Sequence, residues 1–235
     1  TATVDVVLGY TAGLVTRYGG TAEANTRLTN LFALVNQALE VSDVAHRVRL
    51  VGTVLVFYTD GNTNATALNE LTGVNCNPNC TPVAVPAALA PLRDAREQYG
   101  ADLVALVRSN QAPQQEGCGL AWLLGAGGFS IDAMDAPYGY SVVSDGSDLD
   151  ESTGTNVFCS TASLAHELGH SLGQAHNVAD SSESGTHSYA YGYREASSTG
   201  FYTVMARRAA NSSQFSINQF ANPSVQYSGR PTGTA

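Results

Sequence analysis

The residues of this chain best suited to chemistry lie within eleven positions, His166-Glu167-Leu168-Gly169-His170-Ser171-Leu172-Gly173-Gln174-Ala175-His176. On a helix, residues four apart are offset by roughly 40° and about 6 Å of rise, so His166 and His170 leave one face together. Two imidazole nitrogens at that spacing can reach one metal ion. Gly173 can adopt backbone angles that a residue with a Cβ disfavours, so it can end the helix and swing His176 round as a third ligand. Three neutral imidazoles with a fourth position open form the donor set of a catalytic zinc, whereas a structural zinc closes all four positions. Glu167, beside the first ligand, is then placed to take a proton from water that zinc has acidified. Three of the chain's five histidines fall inside this stretch, which sets it apart from an ordinary amphipathic helix with solvated histidines.

Such a helix needs a core to hold it. At 235 residues and 43% hydrophobic, the chain can bury one sizeable core, and a single domain over 1–235 is expected. A net charge of −9, with every one of the eleven basic residues an arginine, leaves no basic stripe for nucleic acid or an anionic membrane. No apolar run reaches transmembrane length. Opening at Thr1-Ala2-Thr3 without Met or a hydrophobic leader is the expected look of a processed, secreted form whose pro-segment has been removed. A monomer is expected.

Four cysteines, Cys76, Cys80, Cys118 and Cys159, fit disulfides in an oxidising compartment. They allow three pairings. The turn-forming Asn77-Pro78-Asn79 favours Cys76–Cys80, with Cys118–Cys159 as the complement. A metal held by Cys76 and Cys80 has no second ligand pair to complete it.

The β-branched run Thr3–Tyr10 predicts a buried strand, and Leu28, Leu31, Phe32, Leu34, Val35, Ala38 and Leu39 give Ala22–Val41 one broad apolar helical face. Alternation over Arg47–Tyr58 predicts a second strand with Val48, Leu50, Gly52, Val54, Val56 and Tyr58 on one side. Strand, helix, strand opens a right-handed parallel unit. The stretch from Asp60 to Pro82 reads as irregular. Pro86–Tyr99 reads as a helix, and Ala101–Val107, Cys118–Leu124 and Gly139–Ser144 read as strands. The fold class expected is α/β, a twisted, mostly parallel five-stranded sheet. Asp145–Glu151 carries four carboxylates. They raise a Ca2+ site, but the calcium-loop spacing is incomplete and a solvated acidic loop is the simpler reading. Ser160 or Thr161 is expected to cap the histidine helix, with Leu164, Ala165, Leu168 and Leu172 turned to the sheet. Beyond it, Tyr189–Arg194 reads as a packed aromatic segment and His187 as a solvated loop residue. Phe215–Phe220 is compatible with a short helix, and Ser228–Ala235 reads as coil.

The eleven-residue pattern resembles the signature of the metzincin zinc endopeptidases, and Tyr202-Thr203-Val204-Met205-Ala206 resembles their later Met-turn. The resemblance implies several things. Zn2+ is the cofactor and Met205 is the apolar floor beneath the ligands. An antiparallel edge strand at Gly119, Leu120, Ala121 and Trp122 takes an extended protein or peptide substrate by strand addition. An upper part, 1–176, carries sheet and active helix, and a small irregular lower part, 177–235, carries the Met-turn. Some metzincins place a Tyr two positions after the Met that assists at the metal. Here Arg207 stands in its place, which removes that helper and resembles the reprolysin-like branch.

Val4–Thr11, Tyr191–Arg194, Gly200–Met205 and Phe220–Ser224 are also similar to bacterial peptidyl-Asp metalloendopeptidases. That similarity implies an acidic side chain after the scissile bond, for which Arg194, Arg207 and Arg208 are candidate partners. The alternatives are a zinc endopeptidase with an apolar pocket there, a zinc hydrolase of non-peptide substrates, and a non-catalytic binding module on a protease scaffold.

Overall fold

The apolar opening run forms the strand around which the sheet is built. A computed structural model describes residues 2–234; Thr1, on which the expectation of a processed N-terminus rests, and Ala235, the last residue of the tail, lie outside the described residues. In chain order, β1 (Thr3–Thr11), α1 (Ala12–Tyr18), α2 (Thr21–Val41) and β2 (Arg47–Val56) make the first parallel unit. Then come α3 (Asn64–Thr72), β3 (Val74–Cys76), β4 (Cys80–Pro82), α4 (Ala90–Tyr99) and β5 (Leu103–Ser109). The edge β6 (Gly119–Ala121) is followed by β7 (Tyr140–Asp150), β8 (Thr155–Cys159) and α5 (Ser163–Ser171). Short strands complete the chain: β9 (Ala175–Asn177), β10 (Tyr191–Gly192), β11 (Phe201–Tyr202), β12 (Phe215–Ser216), β13 (Gln226–Tyr227) and β14 (Arg230–Pro231).

The sheet order is β2-β1-β5-β7-β6, parallel except for β6, with β8 paired antiparallel to the far half of β7. This is the mixed, mostly parallel sheet that the alternation of strands and helices predicts. Residues of opposite parity serve opposite layers. Val6, Leu8, Ala105, Val107 and Val143 pack against α2 and α5, while Val7, Val104, Leu106 and Val142 pack against α3 and α4. Both cysteine pairs close as favoured, Cys76–Cys80 and Cys118–Cys159.

Several elements differ from expectation, each for a physical reason. In β2 the register against β1 shifts between Val6 and Val7. The bulge sends Val48 and Leu50 to one layer and Val54, Val56 and Tyr58 to the other, so they do not share a side. The stretch read as irregular contains α3, whose start is capped by Thr63 Oγ1 accepting from the Thr66 N–H (3.0 Å) and whose end is Gly73 at φ +84°. A short cap-to-cap helix of nine residues gives little periodicity to read. Residues 215–220 are not helical: β12 pairs with β11, and the following backbone and amides cover the end of α2. There Phe220 N–H donates to Ser42 Oγ (2.7 Å), Asn218 to the Leu34 carbonyl and Gln219 to the Val41 carbonyl. The tail forms the β13–β14 hairpin rather than coil, and Tyr189 is exposed, stacked on His187.

The acidic run is the β7–β8 hairpin with Glu151 in its turn, and three of its four carboxylates take separate partners. Asp145 is buried in a two-bond pair with Arg27 (2.7 and 2.9 Å) and accepts from Tyr18 (2.6 Å). Asp148 accepts from the Ala112 N–H and Asp150 from Ser152. They do not converge, and among the described residues the group of side chains close enough to share an ion is His166, His170 and His176. The expected alternative of a Ca2+ site in this run is therefore not supported.

Arg108, fully buried in β5, donates to the side-chain carbonyls of Asn62 and Asn64. Asn64 in turn donates to the Gly117 carbonyl (3.2 Å) and, through its N–H, to the Gln115 carbonyl (3.3 Å). The chain entering β6 is thereby tied to the core. Replacing Arg108 by Met leaves these acceptors unpartnered, and we expect a loss of about 2–4 kcal/mol in urea unfolding. A loss under about 0.5 kcal/mol would contradict this role.

Candidate metal centre and substrate cleft

Helix α5 is amphipathic in the sense that orients its histidines. Leu164, Ala165 and Leu168 are fully buried against the sheet, which turns His166 and His170 to the opposite side. The helix starts later than a Ser160 or Thr161 cap would place it. Ala162 is the cap residue, and Ser160 acts one turn earlier by accepting from the Ala162 and Ser163 N–H groups. Gly173, at φ +85°, turns the chain into β9 and brings His176 back across the helix face.

The three imidazoles converge. His176 Nε2 lies 3.0 Å from His166 Nε2 and 3.1 Å from His170 Nε2. The other ring nitrogens face oxygens that can only accept: His166 Nδ1 donates to the Val204 carbonyl (2.7 Å) and His170 Nδ1 to the Gln174 carbonyl (2.8 Å). These bonds place the protons of His166 and His170 on Nδ1 and leave their Nε2 lone pairs aimed at one point. Two accepting Nε2 atoms that both lie 3.0–3.1 Å from a third suit a shared cation, since imidazole nitrogens about 2.0–2.1 Å from a tetrahedral zinc stand at this kind of separation. Burial and mutual repulsion keep the imidazoles neutral, pushing His170 down to about 3 and His176 down to about 4. Neutral imidazole is the ligand form, so the residues present fit zinc.

Glu167 is buried, and burial pushes its carboxyl up to about 8 against the opposing field of Arg207. A divalent ion on the adjacent imidazoles would favour its carboxylate form. Its carboxyl lies against the backbone of Gly119, where a Cβ would sit 2.6 Å from Oε1 and 2.7 Å from Cγ. On α5, between His166 and His170, Gly169 packs on the Sδ of fully buried Met205, leaving no room for a side chain there.

Strand β6 presents a free edge. Ser144 N–H donates to the Cys118 carbonyl (2.9 Å), so Cys118 and Ser144 form a hydrogen-bonded pair. In an antiparallel ladder such pairs alternate, so Leu120 also bonds inward to Val142 while the main chains of Gly119 and Ala121 face away from β7. Trp122 does not continue that edge. Its Nε1 donates to Thr72 (2.8 Å) and its ring packs edge-on against Tyr138. The Cys118–Cys159 bond, with Cα atoms 5.2 Å apart, joins the start of β6 to the residues just before α5.

The three arginines have separate fates. Arg194 pairs with Asp180 (2.6 Å) and donates to the Arg207 carbonyl (2.9 Å), so it is committed within the protein. Arg207 Nη2 lies 3.3 Å from His176 Nε2. Arg208 lines a hollow of about 520 Å3 with Ser163, Tyr202, Val204, Ser216 and Ile217. On the other side of the imidazoles is a smaller hollow, about 230 Å3, bordered by Leu123, Asp180 and Glu183. Asn177, whose Oδ1 accepts from the Arg207 N–H (3.1 Å), and Asp180 carry no spacing signal that sequence reasoning could have used.

A mostly parallel sheet, a histidine helix crossing beneath its antiparallel edge strand, and a three-imidazole centre define a metallopeptidase-type domain. The chain belongs to the reprolysin-like metallopeptidases of family M12B, whose description matches residues 1–235. It is 28% identical over 236 residues to a peptidyl-Asp metalloendopeptidase of Stenotrophomonas maltophilia, covering 100% of this chain and 48% of that protein. A protein of the same name from Pseudomonas aeruginosa is 28% identical over 237 residues, covering 94% and 34%. The chain thus spans about half the length, or less, of these curated relatives. Its fold is also similar to a chain in a solved chaperone–substrate complex, with a TM-score of 0.67 at 19% identity, covering all of this chain and 31% of that one.

Gly119→Ala is expected to push Glu167 aside and lower turnover about 100-fold while zinc, measured by mass spectrometry, stays bound one per chain. Unchanged turnover would show that the contact between Gly119 and Glu167 has no consequence.

Proposed function

We propose that the chain is the catalytic domain of a secreted zinc endopeptidase that cuts peptide bonds preceding an acidic residue. The observation that carries this reading is the convergence of three Nε2 atoms beside a buried Glu167 that touches the free edge of β6. In this reading His166, His170 and His176 hold zinc, Met205 underlies them, and residues 1–176 and 177–235 supply the two walls of the cleft. Zinc bound there supplies Lewis acidity, polarising a carbonyl and acidifying water. Glu167 takes a proton from the attacking water and passes it to the departing amine nitrogen, as a general base and then acid.

The exposed main-chain groups of Gly119 and Ala121 take an extended peptide as an added antiparallel strand. The residue after the scissile bond then points toward the Arg208 hollow. A guanidinium binds a carboxylate through two parallel hydrogen bonds, and peptidyl-Asp is the name carried by the relatives, so Arg208 is the partner we assign to an acidic side chain. The two disulfides fit the oxidising milieu of a secreted protein. Among the described residues, no helix is long and apolar enough to cross a membrane.

The test is to digest denatured mixed proteins with and without a zinc chelator and to map each cut by mass spectrometry. Chelator-sensitive cuts preceding Asp are expected. Arg208→Ala should lower the preference for Asp over Asn by about tenfold or more, the worth of a charge-assisted hydrogen bond. Chelator-sensitive cuts before apolar residues would point to the Val204 and Ile217 wall instead. No cuts by zinc-loaded protein would leave a binding module or a hydrolase of another substrate.

A further inference from the structure

We propose that Arg207 is a catalytic residue, whose guanidinium stabilises the negative charge that forms on the scissile carbonyl oxygen. The inference rests on the peptidase reading above and assigns a second charged group to that site.

Position is the first argument. Four residues border both hollows of the cleft: Gly119, His166, Glu167 and Arg207. A peptide lying across both hollows passes these four at the bond to be cut. Arg208, by contrast, borders only the larger hollow. The Arg207 head group also reaches the imidazole centre itself, with Nη2 3.3 Å from His176 Nε2. A residue recognising a side chain one position along would sit inside one hollow and away from the ligands.

Restraint is the second argument. Both main-chain polar groups of Arg207 are held from within the protein, the N–H by Asn177 Oδ1 (3.1 Å) and the carbonyl by Arg194 Nη1 (2.9 Å). Arg194 is itself anchored on Asp180 (2.6 Å). This fixes the point from which the Arg207 side chain leaves, yet among the described residues no carboxylate lies within ion-pair distance of its guanidinium. The nearby Asp180 is taken by Arg194. Arg207 is thus aimed at the reacting position with its charge unspent.

Charge balance is the third argument. The ligands are three neutral imidazoles, so a divalent ion there keeps its full charge, and Arg207 adds another. Glu167 is the one carboxyl among the four residues shared by the hollows. The site therefore carries surplus positive charge that a neutral peptide does not offset and an oxyanion does. In hydrolysis the water oxygen bonds to the carbonyl carbon, whose own oxygen becomes anionic. The C–N bond then breaks, and the proton held by Glu167 goes to nitrogen. Charge appears on that oxygen only along the reaction path, so a donor aimed at it binds the transition state better than the substrate. A guanidinium stays protonated throughout.

The test uses zinc-loaded protein, two peptides differing only in Asp or Asn after the scissile bond, and a phosphinic peptide whose tetrahedral anion mimics the transition state. Arg207→Ala should lower kcat about 10²–10³-fold on both peptides, with KM changed by less than about threefold. Calorimetric affinity for the phosphinic peptide should fall by a similar factor. Binding of the intact peptide, measured in a Glu167→Gln background with and without Arg207→Ala, should change by less than about threefold. Arg207→Lys should restore part of the loss, and zinc content should stay at one per chain in each variant.

A loss confined to the Asp peptide would make Arg207 a specificity residue and overturn the proposal. So would equal losses in binding the intact and phosphinic peptides. Wild-type protein that neither cuts nor binds the phosphinic peptide would overturn the peptidase reading itself. An active wild type with an unimpaired Arg207→Ala variant overturns this assignment alone.

Discussion

Convergence of three imidazoles, with His176 Nε2 3.0 Å from His166 Nε2 and 3.1 Å from His170 Nε2, dictates what the surrounding structure must hold in place. Each ring must be fixed in place for its Nε2 to face the same point. One clamp comes from far along the chain and the other from the next turn. His166 is fixed by the Val204 carbonyl and His170 by the Gln174 carbonyl, so the segment carrying Met205 and the turn at Gly173 both act as clamps on α5. The absence of a side chain at Gly169 lets Met205 come close enough for Val204 to reach His166.

The sheet supplies the other half of the geometry. Leu164 and Leu168 seat α5 on the sheet, and the Cys118–Cys159 bond fastens the residues before α5 to the start of β6. Buried Arg108, acting through Asn64 on the Gly117 carbonyl, fixes the same strand from the core side. The edge strand and the helix are therefore not independent. Glu167 lies directly against Gly119, so the carboxyl to which we assign the proton transfer and the strand to which we assign the peptide share one contact.

How much of this was legible in the sequence depends on the range of the interactions involved. The sheet of alternating strands and helices, the Cys76–Cys80 pair, the turn at Gly173 and the convergence of three histidines rest on local spacing, which can be read, and Cys118–Cys159 follows as the remaining pair. The β2 bulge, the cap-to-cap helix α3 and the β7–β8 hairpin could not be read in the same way. Asp145 looked like part of a solvated acidic loop because Arg27 and Tyr18, its partners, are more than a hundred positions away. Residues 215–220 looked helical because nothing nearby in sequence shows that their polar groups are needed to cover the end of α2. The same reasoning applies at the site. Arg194, Arg207 and Arg208 were equal candidates as residue types, and only the tertiary structure ties Arg194 to Asp180, places Arg207 at the imidazoles and leaves Arg208 in the larger hollow. Trp122 likewise read as part of the edge, whereas Thr72 and Tyr138 hold it inside.

If Glu167 moves the proton while the histidines alone hold the metal, one substitution separates the two roles. Glu167→Gln keeps the size of the side chain and removes its basicity, so zinc content and turnover should be measured together on that variant. We expect one zinc per chain, unchanged from wild type, with peptide hydrolysis reduced by about 10³-fold or more. Hydrolysis within about tenfold of wild type, at full zinc occupancy, would contradict it.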